Sequence, residues 1–154
     1  MRAGEIVPAI WQDKRVLRAY VTRQTNNPAE ELEWAAHIAI TAGNCVFVND
    51  ELPDALEDKD PGPCWKWVTR LGRKRDIRFI YTFQRAAEVP VMARAQAQDW
   101  YLFQTNEAGD TDYIRRCVSR EGADIVRGLK RGQALWVRDG DCVGIVETVK
   151  PKAA

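Results

Sequence analysis

Asn44-Cys45-Val46-Phe47-Val48-Asn49-Asp50-Glu51-Leu52 opens on an apolar run and closes on an acidic pair. Cys45 to Val48 are apolar and mostly strand-forming. A continuous apolar run of this length predicts a strand buried on both faces, as in a parallel sheet covered by helices. Carboxylates at the C-terminal end of such a strand, Asp50 and Glu51, stand where open α/β sheets bind ligands. The same residues also read as a strand that ends in a polar turn.

Upstream, Asn27 is positioned as an N-cap with Pro28 at the first helical position. Ala29 to Thr41 places Leu32, Ala35, Ala36, Ala39 and Ile40 on one helical face, and Gly43-Asn44 ends the helix. Val16 to Thr22 is rich in strand formers. Helix, tight turn and buried strand make one α/β step.

Downstream, Asp54 to Pro63 is acidic, carries Pro61-Gly62-Pro63 and predicts a surface loop. Cys64 to Gly72 has Trp65, Val68 and Leu71 at helical spacing, and the basic run Arg70–Arg75 follows. Ile77 to Gln84 is a second buried-type strand ending in an amide. Val91 to Gln98 predicts a short helix, and Trp100 to Gln104 a third strand. Asp110–Arg120 and Ala123–Leu129 read as helices. Asp139-Gly140 lies between two apolar runs, a strong hairpin signal.

The chain has 154 residues with 45% hydrophobic and 29% charged content, which predicts a folded domain with a sizeable core. A net charge of +1 gives no global argument for nucleic acid or membrane. The four cysteines, at 45, 64, 117 and 142, form no C-x-x-C pair, and His37 is the single histidine. That argues against a zinc site and a secreted disulfide framework, and it fits a reducing cytoplasm. Cys45 and Cys142, within apolar runs, read as buried thiols. No stretch approaches the roughly 20 apolar residues of a membrane helix, and no signal peptide is indicated.

Taken in order, the acidic-ended strand, the Gly72-Arg73 turn, the strand ending Thr82-Phe83-Gln84-Arg85 and the strand Trp100–Gln104 form a set. This set resembles the C-terminal two-thirds of P-loop ATPases of the FtsK–HerA division, which includes viral genome-packaging ATPases and Zot-like phage proteins. The resemblance covers about residues 15–138. It implies an α/β, three-layer fold with a mostly parallel sheet of P-loop NTPase type, lacking the P-loop strand and carrying a C-terminal β-hairpin at 134–149. It implies one partial ATPase-like domain over residues 1–154.

Carried over by position, Asp50 becomes the Mg²⁺ acid of a Walker B element and Glu51 the carboxylate that polarises the attacking water. Both are needed, because the metal neutralises phosphate charge while a separate base orients the nucleophile. Gln84 becomes the residue that senses the γ-phosphate or helps position the water. Arg73 or Arg75 becomes the arginine acting in trans on transition-state charge, with Arg85 and Arg94 as further candidates. Gln84 also reads as a strand-end cap, and Arg73-Lys74-Arg75 as a solvated charge run.

The sequence departs from the family in one respect. No G-x-x-x-x-G-K-[ST] occurs in it. The phosphate cradle needs a Gly-rich loop at a helix N-terminus and its Lys. The resemblance therefore implies an ATPase lacking its first strand, P-loop and first helix, truncated or split, and inactive alone. Mg²⁺ and ATP would bind only if a partner chain supplied the loop. In the family the sheet order is 5-1-4-3-2, so the missing strand would leave unpaired edges that invite a homo-oligomer or a partner segment. Direct pairing of Ile77–Phe83 with Trp100–Gln104, or Glu5–Ile10 filling the gap, are the alternatives. DNA is a partner that the resemblance implies. A separate reading makes the chain a non-enzymatic nucleic-acid or protein interaction module, with Trp65, Trp67 and Arg70–Arg75 as its surface; Trp65 also reads as core.

Overall fold

The computed structural model describes residues 27–51 and 62–148. The strand expected at Val16–Thr22, the Glu5–Ile10 segment and most of the acidic loop lie outside those residues. The chain forms two compact units, one ending at Gln84 and the other beginning at Arg85.

In the first unit α1 spans Pro28–Ala42, with Asn27 as N-cap and Pro28 at its start. Asn27 caps through its backbone, its carbonyl accepting from the N–H groups of Glu30 and Glu31. Gly43, with φ at +59°, ends the helix and donates to the Ala39 carbonyl. β1 follows at Val46–Asn49. α2 covers Pro63–Leu71, and a 3-10 turn at Gly72–Arg75 leads into β2, Arg78–Tyr81. β1 and β2 pair in parallel, Val46 opposite Arg78 and Asn49 opposite Tyr81.

Leu32, Ala36 and Ala39 of α1 are buried, as are Trp65 and Val68 of α2, and Ile77 before β2. Phe47, Phe79 and Tyr81 share one face of the pair; Phe47 and Phe79 meet edge to face, and Phe79 stacks on Tyr81. That face turns towards α2, where the Tyr81 hydroxyl lies 3.2 Å from Thr69 Oγ1. Gly72 is fixed by this packing: a Cβ there would lie 2.8 Å from the Phe79 ring. The other face differs from the expectation of burial on both sides. Val46 and Val48 are each 58% exposed and Ile80 is 51% exposed. The described helices of this unit cover only the aromatic face.

In the second unit a 3-10 turn at Ala86–Glu88 precedes α3, Val91–Gln96, and β3, Asp99–Phe103. α4 covers Ala108–Cys117 and α5 covers Arg120–Gly128. The chain breaks between them because Ser119 takes extended backbone and its side chain accepts from the Gly122 N–H, a standard N-cap. β4, Gln133–Arg138, and β5, Asp141–Glu147, form the expected hairpin about Asp139-Gly140. Both turn residues have positive φ, +51° and +93°, as a two-residue hairpin turn of the I′ kind requires.

β3 was expected beside a parallel sheet. It pairs antiparallel with β4 instead, giving a three-stranded sheet in the order β3-β4-β5. The fold is thus mixed α/β, with a parallel pair in one unit and an antiparallel sheet in the other. Ile114, Ala123, Val126, Leu129, Leu135 and Val137 form the core of the second unit, and Trp100 and Leu102 pack against it. Cys142, expected to be buried, is exposed. It lies on the outer strand, beside a bulge opposite Trp136 and Val137. Among the described residues no helix is long and apolar enough to cross a membrane.

Candidate functional site

The parallel pair carries its two strands to one common end, so whatever follows β1 meets whatever follows β2. Asp50 and Glu51 follow β1, and Thr82 and Gln84 follow β2. The ladder extends one step past the strands, with the Thr82 N–H on the Asn49 carbonyl at 3.1 Å. Three contacts then tie the two ends. The Thr82 hydroxyl donates to Asp50 Oδ1. The Glu51 N–H donates to Thr82 Oγ1 at 3.0 Å. Gln84 Nε2 donates to Glu51 Oε1.

Asp50, Glu51 and Gln84 are therefore brought together across a sequence separation of more than thirty residues. Thr82 links them and was not singled out as a site residue in the sequence. The available signal was its position, two residues before Gln84 at the end of a strand. All of these contacts are solvent-exposed. Glu51 has a φ of +55°. The other non-glycine residues with positive φ among those described are Asn44, Asp76 and Asp139, types that tolerate this region. Glu51 is the exception, and such outliers cluster at functional turns.

The donor set suits Mg²⁺ better than a transition metal. Mg²⁺ is held by one or two carboxylates together with water and substrate phosphates rather than by an all-protein cage. Asp50 provides such a carboxylate. No group of three or more His, Cys, Asp or Glu residues that could hold a metal occurs among the described residues.

The basic residues lie elsewhere. Arg73 and Arg75 belong to the 3-10 turn that enters β2. The Arg75 carbonyl accepts from the Asn44 N–H at 2.8 Å, just ahead of β1. They stand at the opposite end of the strands from the acids, a distance of about 13 Å for four strand residues. Arg70, Arg73, Lys74, Arg75 and Arg78 are all exposed, and none makes an ion pair among the described residues. Trp65, considered as an aromatic partner for this run, is 2% exposed and belongs to the core.

In the second unit Arg85 faces three acids, with Glu107 at 3.2 Å, Asp110 at 3.8 Å and Glu88 at 3.9 Å. Asp110 is buried and also accepts from the Ala87 N–H at 3.0 Å. Arg94 donates to the Tyr113 hydroxyl at 2.8 Å and lies 3.5 Å from Cys117 Sγ, on the wall of a cleft of about 300 Å³. These two arginines are thus engaged within their own unit.

No protein-family model and no curated protein matches the chain. Solved structures do. The genome-packaging NTPase of Sulfolobus turreted icosahedral virus 2, in complex with AMPPCP, superposes with a TM-score of 0.74 at 18% identity, covering 98% of this chain and 73% of that one. The same protein in complex with ATP-gammaS gives 0.74 at 19%, covering 97% and 72%. The DNA-packaging ATPase of Sulfolobus turreted icosahedral virus gives 0.69 at 19%, covering 97% and 94%. At this level of identity the likeness establishes the fold alone: the chain shares the α/β fold of these packaging NTPases.

Proposed function

We propose that this chain is an ATPase-like module that supplies the acid-and-sensor side of a nucleotide site in a DNA-translocating or genome-packaging machine. The observation that carries the reading is the meeting of Asp50, Glu51 and Gln84 at one end of the parallel pair. The fold shared with nucleotide-bound packaging NTPases supports it. The phosphate loop is not among these 154 residues, and we assign it to a segment outside them, on a partner or a longer chain.

In such a site Asp50 would hold Mg²⁺, and the ion, when bound, would neutralise phosphate charge. Glu51 accepts the proton of the water that attacks the γ-phosphorus, as the bond to the β-phosphate oxygen breaks. Gln84 holds the Glu51 carboxylate until phosphate and water arrive, then orients one of them. Arg73 or Arg75, at the far end of the strands, acts on a neighbouring copy's site in an oligomer.

A second reading rests on Arg70, Arg73, Lys74, Arg75 and Arg78. These exposed cations form a surface suited to a phosphate backbone, and neutralising Arg73 and Arg75 together would weaken binding to DNA and reduce its salt dependence by about two counterions. Under this reading Asp50 and Glu51 are dispensable for binding.

The test of the first reading is hydrolysis of Mg²⁺-ATP by the purified chain beside Glu51→Gln. The expected result is no turnover above the variant. Turnover that Glu51→Gln abolishes would overturn the assignment of the phosphate loop to an outside segment.

A further inference from the structure

We infer that Thr82 is the positioning residue of this site, one hydroxyl orienting the side chain of Asp50 and the backbone of Glu51 at once. The role rests on the reading of these acids as a Mg²⁺-nucleotide site; the contacts themselves do not.

A threonine hydroxyl has one proton and two lone pairs. Here the proton goes to Asp50 Oδ1, and a lone pair receives the Glu51 N–H at 3.0 Å. The two uses are complementary. The donated proton fixes the rotation of the Asp50 carboxylate, so that Oδ1 is occupied and Oδ2 is the oxygen left to meet a cation. The accepted proton holds the Glu51 backbone in the left-handed region, at φ +55°, which a glutamate does not favour by itself. That turn in backbone direction keeps the Glu51 carboxylate within reach of Gln84 Nε2.

Thr82 can do this because its own backbone is pinned. Its N–H bonds the Asn49 carbonyl at 3.1 Å, one step beyond the last strand pair, Asn49 with Tyr81. A β-branched side chain there has few rotamers, so the hydroxyl is held in place before any ligand arrives. Valine would keep the shape and lose both bonds. Serine would keep both bonds with a looser rotamer.

The experiment uses the whole chain as Thr82→Val and Thr82→Ser beside the parent, read by NMR. Exchange of the Glu51 amide is expected to rise about tenfold in Thr82→Val. Thr82→Ser is expected to restore it. Paramagnetic broadening of Asp50 by Mn²⁺ alone is expected to weaken in Thr82→Val and recover in Thr82→Ser.

Glu51 amide exchange identical in parent and Thr82→Val would overturn the inference. So would a Glu51 amide unprotected in the parent, a measurement that needs no variant to fold. If Mn²⁺ broadens nothing in the parent while exchange still responds, the metal-site reading fails and the positioning by Thr82 stands.

Discussion

Gln84 Nε2 donates to the Glu51 carboxylate across 33 residues of sequence. The two side chains meet because β1 and β2 run parallel and end together, and because Glu51 leaves its strand in a left-handed turn. Replacing the amide by a carboxylate, Gln84→Glu, sets two anions face to face. Thermal melts are expected to show a loss of at most about 1 kcal/mol at neutral pH, since the pair is exposed, with recovery as the pH falls through the carboxyl range. An unchanged or raised melting temperature at neutral pH would show that the pairing contributes nothing in solution.

Glu33 is a cap contributed from another helix. Its carboxylate accepts from the N–H groups of Cys64 at 2.7 Å and Trp65 at 3.0 Å, at the N-terminus of α2. Gly62, with φ at +87°, leaves room for it; a Cβ there would lie 2.7 Å from the Glu33 carboxyl carbon. Glu33→Ala should destabilise by about 1–2 kcal/mol, and Glu33→Gln by less, because one acceptor remains. Chemical denaturation measures both, and equal stability of Glu33→Ala and parent would refute the capping role.

Burial pushes the Tyr81 phenol up to about 12, the hydrogen bond with Thr69 offsetting part of that rise. An unfolded tyrosine ionises near 10. Between the two values the unfolded chain loses a proton that the folded chain keeps. The stability due to Tyr81 is thus fully present below pH 10 and is lost as pH rises towards 12, by on the order of 2 kcal/mol. Tyr81→Phe should flatten this alkaline fall. Tyrosinate absorbance rising fully near pH 10 in the folded protein would contradict it.

Leu135, fully buried at the centre of the second unit, packs with Ile114 and Val126. Leu135→Ala should cost about 3 kcal/mol. Trp136, its neighbour on the opposite face, donates to Asp99 at 2.7 Å and is half-exposed, so Trp136→Phe should cost about 1 kcal/mol or less. A larger loss at Trp136 than at Leu135, measured by urea denaturation, would place the core on the other face of the sheet.

Much of this was legible in the residues. The Pro28 start and Gly43 stop of α1, the acidic end of β1 and the Asp139-Gly140 hairpin are local signals, and the chain follows them. The pairing of β3 with β4 was not legible, because alternation along Trp100–Phe103 does not name a partner strand. The exposure of Val46, Val48 and Ile80 was also hidden. An apolar run reports what a strand can bury, and coverage depends on which helices pack against it. At the site, Asp50, Glu51 and Gln84 were visible as chemistry at strand ends. Thr82 was not, since a threonine at the end of a strand is ordinary until its hydroxyl is seen serving two acids. The arginines carried no positional information, and the structure sets Arg73 and Arg75 at the far end of the pair.

The most direct test of the proposed site is titration of the chain with Mn²⁺ alone, a probe of exposed carboxylates that needs no phosphate loop, read as paramagnetic broadening of its amide signals. The predicted result is broadening centred on Asp50, Glu51, Thr82 and Gln84 that is lost in Asp50→Asn. Broadening centred on other residues, or unchanged in Asp50→Asn, would contradict the assignment of these acids to a metal-nucleotide site.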